Sequence, residues 1–336
     1  MEKRIKDRYN DDILHEAMRR YGIAPDRIHL LDGFESFMYE FERDGTEYIL
    51  RIGHSLRRSI PMIQGEVNWI NYLSDGGVPA ARAILSENNR LVELVDDGQG
   101  EHFLATAFVK ACGDHPKRAD WTPRFYEAYG AMMGRMHVLS KRYEPDPSTW
   151  RPQWDDPIML EVEQFLPPSE AITVDKYRAL IAHLRALSKD ADSYGLLHQD
   201  AHTGNLFVDE TGNITLFDFD DCVYGWFIYD IAMALFYAVP FDPSGASRFT
   251  GEFMPSFLQG YRRENRLDPV WLKQLPYFLK MREIDLYAIV YRSFDVNNLD
   301  DPWVASYMEG RKQRIESDVP FIDFDFESLA SYLTPG

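Results

Sequence analysis

The sequence predicts an α+β protein of two lobes: a small N-terminal lobe with an antiparallel β-sheet and one helix, and a larger, mainly helical C-terminal lobe. Residues 38–52 alternate apolar and polar side chains around the turn Asp44-Gly45, the pattern of a β-hairpin. Residues 61–74 place apolar side chains at helical spacing, and beyond residue 225 the pattern is helical throughout. The 336 residues exceed the ~250–300 at which one hydrophobic core stops growing, which favours two lobes.

The order of these elements places the lobe boundary after Val109, so the lobes are predicted at residues 1–109 and 110–336. Three further strands are predicted in the first lobe, at residues 83–85, 91–94 and 103–109.

In the second lobe, Thr122 and Pro123 mark the start of a helix that runs to about Ser140. Helices also fit residues 157–165 and 174–188. Pro276 lies inside a helical stretch, and we expect it to kink or split that helix.

The charge balance excludes some partners. Lys and Arg total 36 against 54 Asp and Glu, which gives a formal net charge of −18. A field of that sign repels nucleic-acid phosphates and anionic lipid head groups, so we expect neither a nucleic acid nor a membrane as partner. The same charge favours a cationic ligand, although solubility alone also accounts for it.

The cysteine content and the N-terminus indicate the compartment. Cys112 and Cys222 are the only cysteines, and no Cys or His spacing typical of a metal site occurs. Two reduced thiols are typical of a cytoplasmic protein. The first ten residues lack the apolar segment of a signal peptide, and no apolar run reaches the ~18 residues of a membrane span. We therefore expect a cytoplasmic protein.

Polar side chains cluster at the ends of two short apolar strands in residues 195–221. The strands are residues 206–208 and 214–217, and the polar side chains are His198, Asp200, Asn205 and Asp218. The turn at residues 210–213 folds the strands into a hairpin, which brings their polar ends to one side.

This set of side chains suits phosphoryl transfer, which depends on a positioned nucleophile and neutralised phosphate charge more than on covalent chemistry. Asp200 can accept the proton of a substrate hydroxyl or orient that hydroxyl. Asn205 and Asp218 supply the neutral and charged oxygen ligands that Mg²⁺ prefers. The residues therefore predict Asp200 as a catalytic group, and Asn205 and Asp218 as metal ligands.

The spacing of these residues also carries a family resemblance. His198 to Asn205 match the pattern H-x-D-x-x-x-x-N, and Asp218-Phe219-Asp220 stands where protein kinases have D-F-G. With His202 inside the loop, this form resembles the aminoglycoside phosphotransferase, choline kinase and homoserine kinase-like family. The resemblance covers nearly the whole chain. It implies a protein-kinase-like fold and transfer of the γ-phosphate of ATP, with Mg²⁺, to a hydroxyl of a small molecule.

The resemblance implies roles for three more residues. His198 belongs to the predicted catalytic set with Asp200, and we interpret it as a buried scaffold residue in preference to a proton shuttle. Asp230 matches the downstream Asp of the family and is expected to accept hydrogen bonds that fix the catalytic loop. The role of His202 stays open.

The family also pairs a basic strand residue with a helix Glu, and Arg51 and Glu66 stand at those positions. Arg51 departs from the Lys that is usual in kinases. A guanidinium still binds phosphate through two N–H groups, but its geometry is less compact. We expect Arg51 to hold the ATP phosphates and Glu66 to orient Arg51.

Two further segments are expected to bind the nucleotide. The turn at residues 32–37, with Gly33 and Ser36, is the candidate phosphate-covering loop, although it lacks the G-x-G-x-x-G pattern. Phe108 and Val109 are candidates for the hinge whose backbone meets adenine, and the plain end of a buried strand is the alternative. The sequence does not distinguish ATP from GTP.

The acceptor is left open among three classes. A polycationic aminoglycoside needs acidic side chains, a quaternary ammonium needs an aromatic cage, and a homoserine-like acceptor needs an Arg for its carboxylate. All three kinds of side chain occur in the second lobe, as Asp220, Asp221, Glu283, Asp285, Tyr287, Tyr224, Trp226, Trp303, Arg282 and Arg292.

Two other functions agree less well with the sequence. In a protein kinase, Asp218 would be followed by a long activation loop and an A-P-E sequence, and the chain reaches Asp230 too soon for either. A nucleotide-binding pseudoenzyme is supported only by Arg51 in place of Lys, and the intact Asp200, Asn205 and Asp218 argue against it. The oligomeric state is not predicted.

Overall fold

The computed structural model describes residues 2–31, 33 and 35–334, which form two compact units. The sheet unit comprises the chain up to Asp114 with Tyr143–Arg151 and Leu206–Asp220. The helical unit comprises His115–Arg142, Pro152–Asn205 and the chain from Asp221 onward.

The helices and strands follow the predicted α+β order. The strands are β1 (Ile28–Leu31), β2 (Phe37–Arg43), β3 (Thr46–His54), β4 (Ala83–Ile84), β5 (Glu93–Asp96), β6 (His102–Val109), β7 (Tyr194–Leu197), β8 (Leu206–Val208), β9 (Ile214–Leu216) and β10 (Val223–Trp226). The α-helices are α1 (Lys3–Lys6), α2 (Asp11–Arg20), α3 (Ile60–Asp75), α4 (Pro123–Ser140), α5 (Val162–Phe165), α6 (Ala171–Arg185), α7 (Phe227–Ala238), α8 (Pro243–Glu264), α9 (Leu275–Ser293), α10 (Pro302–Met308), α11 (Arg311–Glu316) and α12 (Ala330–Leu333). Single 3₁₀ turns occur at Pro168–Glu170, Thr203–Asn205, Pro269–Gln274 and Phe326–Leu329.

The main sheet is antiparallel, with strand order β1-β2-β3-β6-β4 and β5 also paired to β6. The register of β3 sets Arg51 opposite Met38 on β2 and Thr106 on β6. Its neighbours Leu50 and Ile52 are fully buried in an apolar core. Because side chains alternate along a strand, Arg51 lies on the face away from that core.

Helix α2 covers this core, and the sequence analysis did not predict it. The Asn10 side chain accepts hydrogen bonds from the backbone N–H groups of Asp12 and Ile13, which caps the helix. Ile13, Ala17 and Met18 are buried against the sheet. The sheet unit therefore contains α1 and α2 in addition to the predicted helix, α3.

The β8–β9 hairpin belongs to the sheet unit, although it lies far along the chain. The N–H of Leu216 donates to Pro79 O at 2.8 Å, and Ala81 donates to Leu216 O at 2.9 Å. Val208 pairs with Asp114 in the same way. The sheet unit therefore consists of three separate stretches of the chain. The boundary after Val109, which divides the chain once, stays a prediction.

In the helical unit, α4 packs directly on α8 through two glycines. A Cβ atom added at Gly130 would lie 1.9 Å from Phe257 O, and one added at Gly260 would lie 1.9 Å from Glu127 O. Only hydrogen atoms fit at these positions, so the two backbones touch.

The predicted split at Pro276 is present. Pro276 is the second residue of α9, which begins directly after the 3₁₀ turn Pro269–Gln274, so the helical stretch is divided at this proline. The proline inside a helix is Pro255, in α8. No helix in the described part of the chain is both long enough and apolar enough to cross a membrane.

Strands β7 and β10 position the chain around the predicted catalytic loop. They pair antiparallel, with Leu197 opposite Val223. Strand β7 ends immediately before His198, and α7, which contains Asp230, begins immediately after β10.

Candidate active site

Asp230 fixes the start of the catalytic loop within the helical unit. It is fully buried in the first turn of α7, and its carboxylate accepts the N–H of His198 at 3.0 Å and that of Gln199 at 2.7 Å. Gln199 has a φ of 70°, which is an unfavourable conformation for a residue with a side chain. The two hydrogen bonds therefore stabilise a strained turn that leads to Asp200.

Asp230 is held in turn by His137, which the sequence analysis did not single out. Nε2 of His137 lies 3.1 Å from the Asp230 carboxylate, and Nδ1 lies 2.8 Å from the hydroxyl of Tyr261. Burial lowers the pKa of His137 more than Asp230 raises it, so the ring is neutral. The chain Tyr261–His137–Asp230 ties the loop to α8, α4 and α7.

His198 also has a supporting position. It is fully buried, and its Nδ1 accepts a hydrogen bond from the N–H of Asp200 at 3.2 Å. A ring nitrogen that shapes the loop backbone favours the interpretation of His198 as a scaffold residue.

Three side chains surround the carboxylate of Asp200. Arg282 donates to Oδ1 at 2.9 Å, the Asn205 amide donates to Oδ2 at 2.9 Å, and Nε2 of His202 lies 3.3 Å from Oδ2. Burial by itself raises the pKa of Asp200, but Arg282, His202 and His198 outweigh it and hold the pKa well below its ordinary value. Asp200 is therefore a carboxylate across the physiological pH range.

Arg282 is positioned by Tyr237. Nε of Arg282 donates to the Tyr237 hydroxyl at 3.0 Å, and the guanidinium lies 5.2 Å from the centre of the Tyr237 ring. The same ring packs against His202, with centroids 4.2 Å apart. From the sequence, Arg282 is predicted only as a candidate acceptor ligand, because no local signal connects it with Asp200.

The side-chain geometry of Asn205 suits a metal ligand. Its NH₂ group donates both to Asp200 O and to Asp200 Oδ2, each at 2.9 Å. The amide orientation is thereby fixed, and the Oδ1 atom is the group left to bind a cation.

Asp218 lies in the sheet unit, directly after the β8–β9 hairpin. Its φ of 63° is again unfavourable for a residue with a side chain, and the next residue, Phe219, is buried edge-on against Trp69. The described residues contain no cluster of three or more His, Cys, Asp or Glu side chains that could hold a metal. One amide and one carboxylate still fit Mg²⁺, which usually takes few protein ligands and completes its shell with water and phosphate oxygens.

Arg51 and Glu66 form a two-pronged ion pair in the sheet unit. Both contacts between guanidinium and carboxylate measure 2.7 Å, and Glu66 is fully buried. Nε of Arg51 donates to Thr106 at 3.3 Å, and the guanidinium lies 5.0 Å from the centre of the Phe108 ring. Burial opposes the charge of Arg51, but Glu66 outweighs burial and raises its pKa.

A second ion cluster in the sheet unit contains two arginines that the sequence analysis missed. Arg57 contacts the Asp220 carboxylate at 2.6 Å, and Arg58 contacts it at 3.3 Å. Burial raises the pKa of Asp220, but these arginines and Arg51 outweigh burial and lower it. Asp220, predicted as an acceptor ligand, is thus already neutralised within its own unit. The three arginines, Asp220 and Ser36 line a cavity of about 10 Å³, room for about one water.

The predicted phosphate-covering loop is only partly described, since Asp32 and Phe34 lie outside the described residues. Gly33 is exposed, and a Cβ atom added there would lie 2.2 Å from Ser36 O. The turn therefore requires glycine at this position.

The predicted hinge lies at the end of β6. Phe108 is buried under Arg51, and Val109 is partly exposed. The N–H of Val109 already donates to Arg82 O at 2.8 Å. Within the described residues, the carbonyl and side chain of Val109 are therefore the groups still available to a ligand, and its N–H is not.

Most of the predicted acceptor ligands have other partners in the helical unit. Glu283 is fully buried between Arg311 and Lys280, and the hydroxyl of Tyr287 donates to Glu170. The indole of Trp226 is buried, and its N–H donates to Ser188 O. Arg292 lies over the ring of Phe165, and Trp303 stacks on Tyr307. Asp285 has no hydrogen bond, ion pair or ring contact of this kind among the described residues.

The sequence and the fold are similar to those of known phosphotransferases. Residues 28–274 match the model of the phosphotransferase enzyme family. Amicoumacin kinase of Bacillus subtilis (strain 168) is 36% identical over 327 residues, which is 96% of this chain and 96% of that protein. A solved amicoumacin kinase in complex with AMP-PNP, Ca²⁺ and Ami has a TM-score of 0.92 at 36% identity and covers 98% of this chain and 100% of its own. A microcompartment-associated aminopropanol kinase shares the fold, with a TM-score of 0.72 at 23% identity over 92% of this chain and 98% of its own.

These similarities confirm the predicted two-lobed α+β, protein-kinase-like fold and the predicted chemistry. The nucleotide in the similar kinase, AMP-PNP, is an analogue of ATP and is accompanied by a divalent cation. The protein-kinase and pseudoenzyme alternatives are not favoured. The chain belongs to the phosphotransferase enzyme family, as an ATP-dependent enzyme that phosphorylates a hydroxyl group of a small molecule.

Proposed function

We propose that this phosphotransferase uses Mg²⁺-ATP to phosphorylate a hydroxyl of a cationic small molecule, and that the acceptor is amicoumacin or a close analogue. The observation that carries the proposal is the carboxylate of Asp200, fixed by Arg282 and Asn205 at the end of a tied loop. The net charge of −18 supports a cationic acceptor. The name of the 36%-identical relative supports amicoumacin as the first acceptor to test.

Asp200 is proposed to orient the acceptor hydroxyl. Because its pKa is held low, it is a weak base, and it accepts a hydrogen bond from the hydroxyl without removing the proton early. The proton moves to Asp200 as the bond from the acceptor oxygen to the γ-phosphorus forms and the bond from that phosphorus to the β,γ-bridging oxygen breaks, which releases ADP and suits a loose transition state. Most of the acceleration then comes from alignment of the hydroxyl oxygen with the γ-phosphate.

Asn205 and Asp218 are proposed to hold Mg²⁺. They belong to different units, so this assignment relies on the H-x-D-x-x-x-x-N and D-F-D spacing and on the oxygen donors that each presents. Bound Mg²⁺ neutralises charge on the phosphate oxygens of the nucleotide. The contacts of Asn205 with Asp200 place the proposed metal ligand beside the proposed nucleophile-orienting carboxylate.

The sheet unit is proposed to bind the nucleotide. Arg51, oriented by Glu66, is assigned to the phosphates, and Gly33 and Ser36 to the turn that covers them. Phe108 and the carbonyl of Val109 are assigned to the adenine side. ATP use and the two free thiols support the proposal that the enzyme acts in the cytoplasm.

A coupled assay of ADP release with amicoumacin as acceptor tests this function, with mass spectrometry to detect the phosphorylated product. We expect Mg²⁺-dependent turnover in the wild type and a loss of at least about 100-fold in kcat for Asp200→Asn. The variant Glu210→Gln, at an exposed position in the turn after β8, serves as the matched control. Phosphorylation of proteins with none of small molecules, or full turnover by folded Asp200→Asn, contradicts the proposal.

A further inference from the structure

Asp285 lies on the face of α9 that carries Arg282. The two residues are three positions apart, so their side chains leave the helix on the same side, one turn from each other. Arg282 contacts Asp200, so Asp285 lies one helical turn from the arginine that holds the residue proposed to orient the acceptor hydroxyl. Asp285 is only partly exposed, in contrast to the fully buried Glu283 on the same helix.

The carboxylate of Asp285 has no hydrogen bond and no salt bridge within residues 2–31, 33 and 35–334. This contrasts with Glu283 on the same helix, whose two oxygens contact Lys280 and Arg311. A carboxylate left without a direct partner in a partly buried position is unfavourable unless a ligand supplies one.

Two tyrosine hydroxyls in the described part of the chain likewise lack a hydrogen-bond partner. Tyr229, from α7, and Tyr177, from α6, are almost wholly buried, and neither hydroxyl has a hydrogen-bond partner among the described residues. The charge of Asp285 acts on both hydroxyls, and that of Arg282 acts on Tyr229. Both tyrosines lie on helices that pack against α9. Buried polar atoms are almost always paired, so two unpaired hydroxyls on these helices and an unpaired carboxylate on α9 indicate a site for a ligand.

We propose that Asp285, with the hydroxyls of Tyr229 and Tyr177, forms a subsite for a primary ammonium group of the acceptor. An –NH₃⁺ group has three N–H donors and one positive charge, which match one carboxylate and two phenolic oxygens. A quaternary ammonium has no N–H to donate, so it leaves the hydroxyls unpaired. This inference rests on the proposed function, since it takes Asp200 as the residue that meets the acceptor hydroxyl.

The electrostatics of the subsite also favour a primary ammonium group. Burial raises the pKa of Asp285 to about 7, although Arg282 lowers it in part. The negative charge of this carboxylate is thus poorly compensated within the protein, and a bound cation supplies the missing charge. Arg282 is directed to Asp200, so it does not take this role. The acceptor is therefore an amino alcohol whose hydroxyl meets Asp200 and whose amine meets Asp285.

The experiment measures direct binding, which separates this inference from turnover. A series of unbranched amino alcohols with about three to six carbons is titrated into the full chain by isothermal calorimetry, each beside its N-acetyl and N-trimethyl forms. We expect the primary amine of the best length to bind at least about tenfold more tightly than both modified forms. In Asp285→Asn that preference is lost, while the control Asp300→Asn, an exposed acid beyond α9, keeps it.

Tyr177→Phe keeps the ring and removes one acceptor, so it provides a second variant should Asp285→Asn fail to fold. We expect a smaller loss of the same preference in this variant. Equal binding of the amine and its N-acetyl form, a preference that survives Asp285→Asn, or no binding of any amine overturns the subsite. Amine binding without phosphorylation of amicoumacin contradicts the proposed acceptor and leaves the subsite supported.

Discussion

The guanidinium of Arg282 donates a hydrogen bond to the carboxylate of Asp200 at 2.9 Å, across 82 positions of the sequence. This contact lowers the pKa of Asp200 and fixes the direction of one carboxylate oxygen. The same contact therefore makes Asp200 a weaker base and a better oriented one. The enzyme favours alignment of the acceptor hydroxyl over basicity of the carboxylate.

Removing this contact is expected to change the pH profile. In Arg282→Gln the pKa of Asp200 rises towards its ordinary range, because burial is then less opposed. The acidic limb of the kcat/KM profile should move to higher pH, and kcat should fall by about 10- to 100-fold as the carboxylate loses its orientation. Arg292→Gln, on the last turn of the same helix, is the control. An unshifted acidic limb in Arg282→Gln shows that the contact does not control Asp200.

The ion pair of Arg51 and Glu66 is expected to contribute to stability as well as to nucleotide binding. Glu66→Gln leaves a buried guanidinium without its charge partner, which typically costs about 3–5 kcal/mol in the free energy of unfolding. The exposed pair of Arg178 and Glu163 is the control, and Glu163→Gln should cost less than about 1 kcal/mol. Urea denaturation of both variants measures the difference. Similar losses of stability in the two variants refute a special contribution of the Arg51–Glu66 ion pair.

The hydrogen bonds of Asp230 should govern the order of the catalytic loop. In Asp230→Asn one acceptor oxygen is replaced by an NH₂ group that faces the N–H of His198 or Gln199. We expect faster hydrogen exchange at these two amides and a fall in kcat with little change in the KM for ATP. Exchange rates equal to those of the wild type contradict this role.

The contact between α4 and α8 should make one glycine of α8 irreplaceable and another dispensable. Gly260→Ala places a methyl group 1.9 Å from a backbone oxygen, and the variant should be destabilised by several kcal/mol. Gly251→Ala, on the same helix, has its nearest neighbour at 3.7 Å and should gain up to about 1 kcal/mol from helix propensity. Thermal unfolding separates the two. A Gly260→Ala protein as stable as the wild type contradicts the packing.

Asp285 should give the stability of the protein a pH dependence. Arg282 on its own helix is the charged group that lowers its pKa, and the charge of Asp285 acts in turn on Tyr229 and Tyr237 of α7 and on Tyr177 of α6. Its pKa is raised to about 7, so the folded protein keeps a proton that the unfolded chain loses near pH 4. The contribution to the free energy of unfolding is therefore full below about pH 4 and is lost as the pH rises through about 7.

Asp285→Asn should flatten this dependence. Urea denaturation at about pH 5 and about pH 8 should show the variant gaining stability relative to the wild type at the higher pH. A constant difference between the two proteins at both values contradicts the raised pKa.

Local signals allowed much of the fold to be predicted. Thr122 and Pro123 begin α4 as expected, because a cap and a first-turn proline act within a few residues. Pro276 divides the 3₁₀ turn Pro269–Gln274 from α9, because a proline is tolerated in the first turn of a helix but not in its interior. The start of α2 did have a signal, with Asn10 before two acids and an apolar stripe.

The same limit applies to the site. The loop from His198 to Asn205 follows from its spacing, because those residues act over short distances along the chain. Arg282 and His137 come from remote helices, and their roles follow from tertiary packing that no local pattern encodes. The ion pairs of Asp220 were not predicted, because its partner Arg58 lies 162 positions earlier in the sequence, next to its second partner Arg57.

The β8–β9 hairpin has a consequence for how such proteins can be recombined. Because Leu206–Asp220 folds with the first 114 residues, cutting the gene once near the predicted lobe boundary removes a hairpin from the sheet unit and with it Asp218. A working chimaera of two relatives must carry three separate blocks of sequence from one parent. Exchange of acceptor specificity by a single crossover is thereby disfavoured, and point substitution within the helical unit is the more accessible route to a new acceptor.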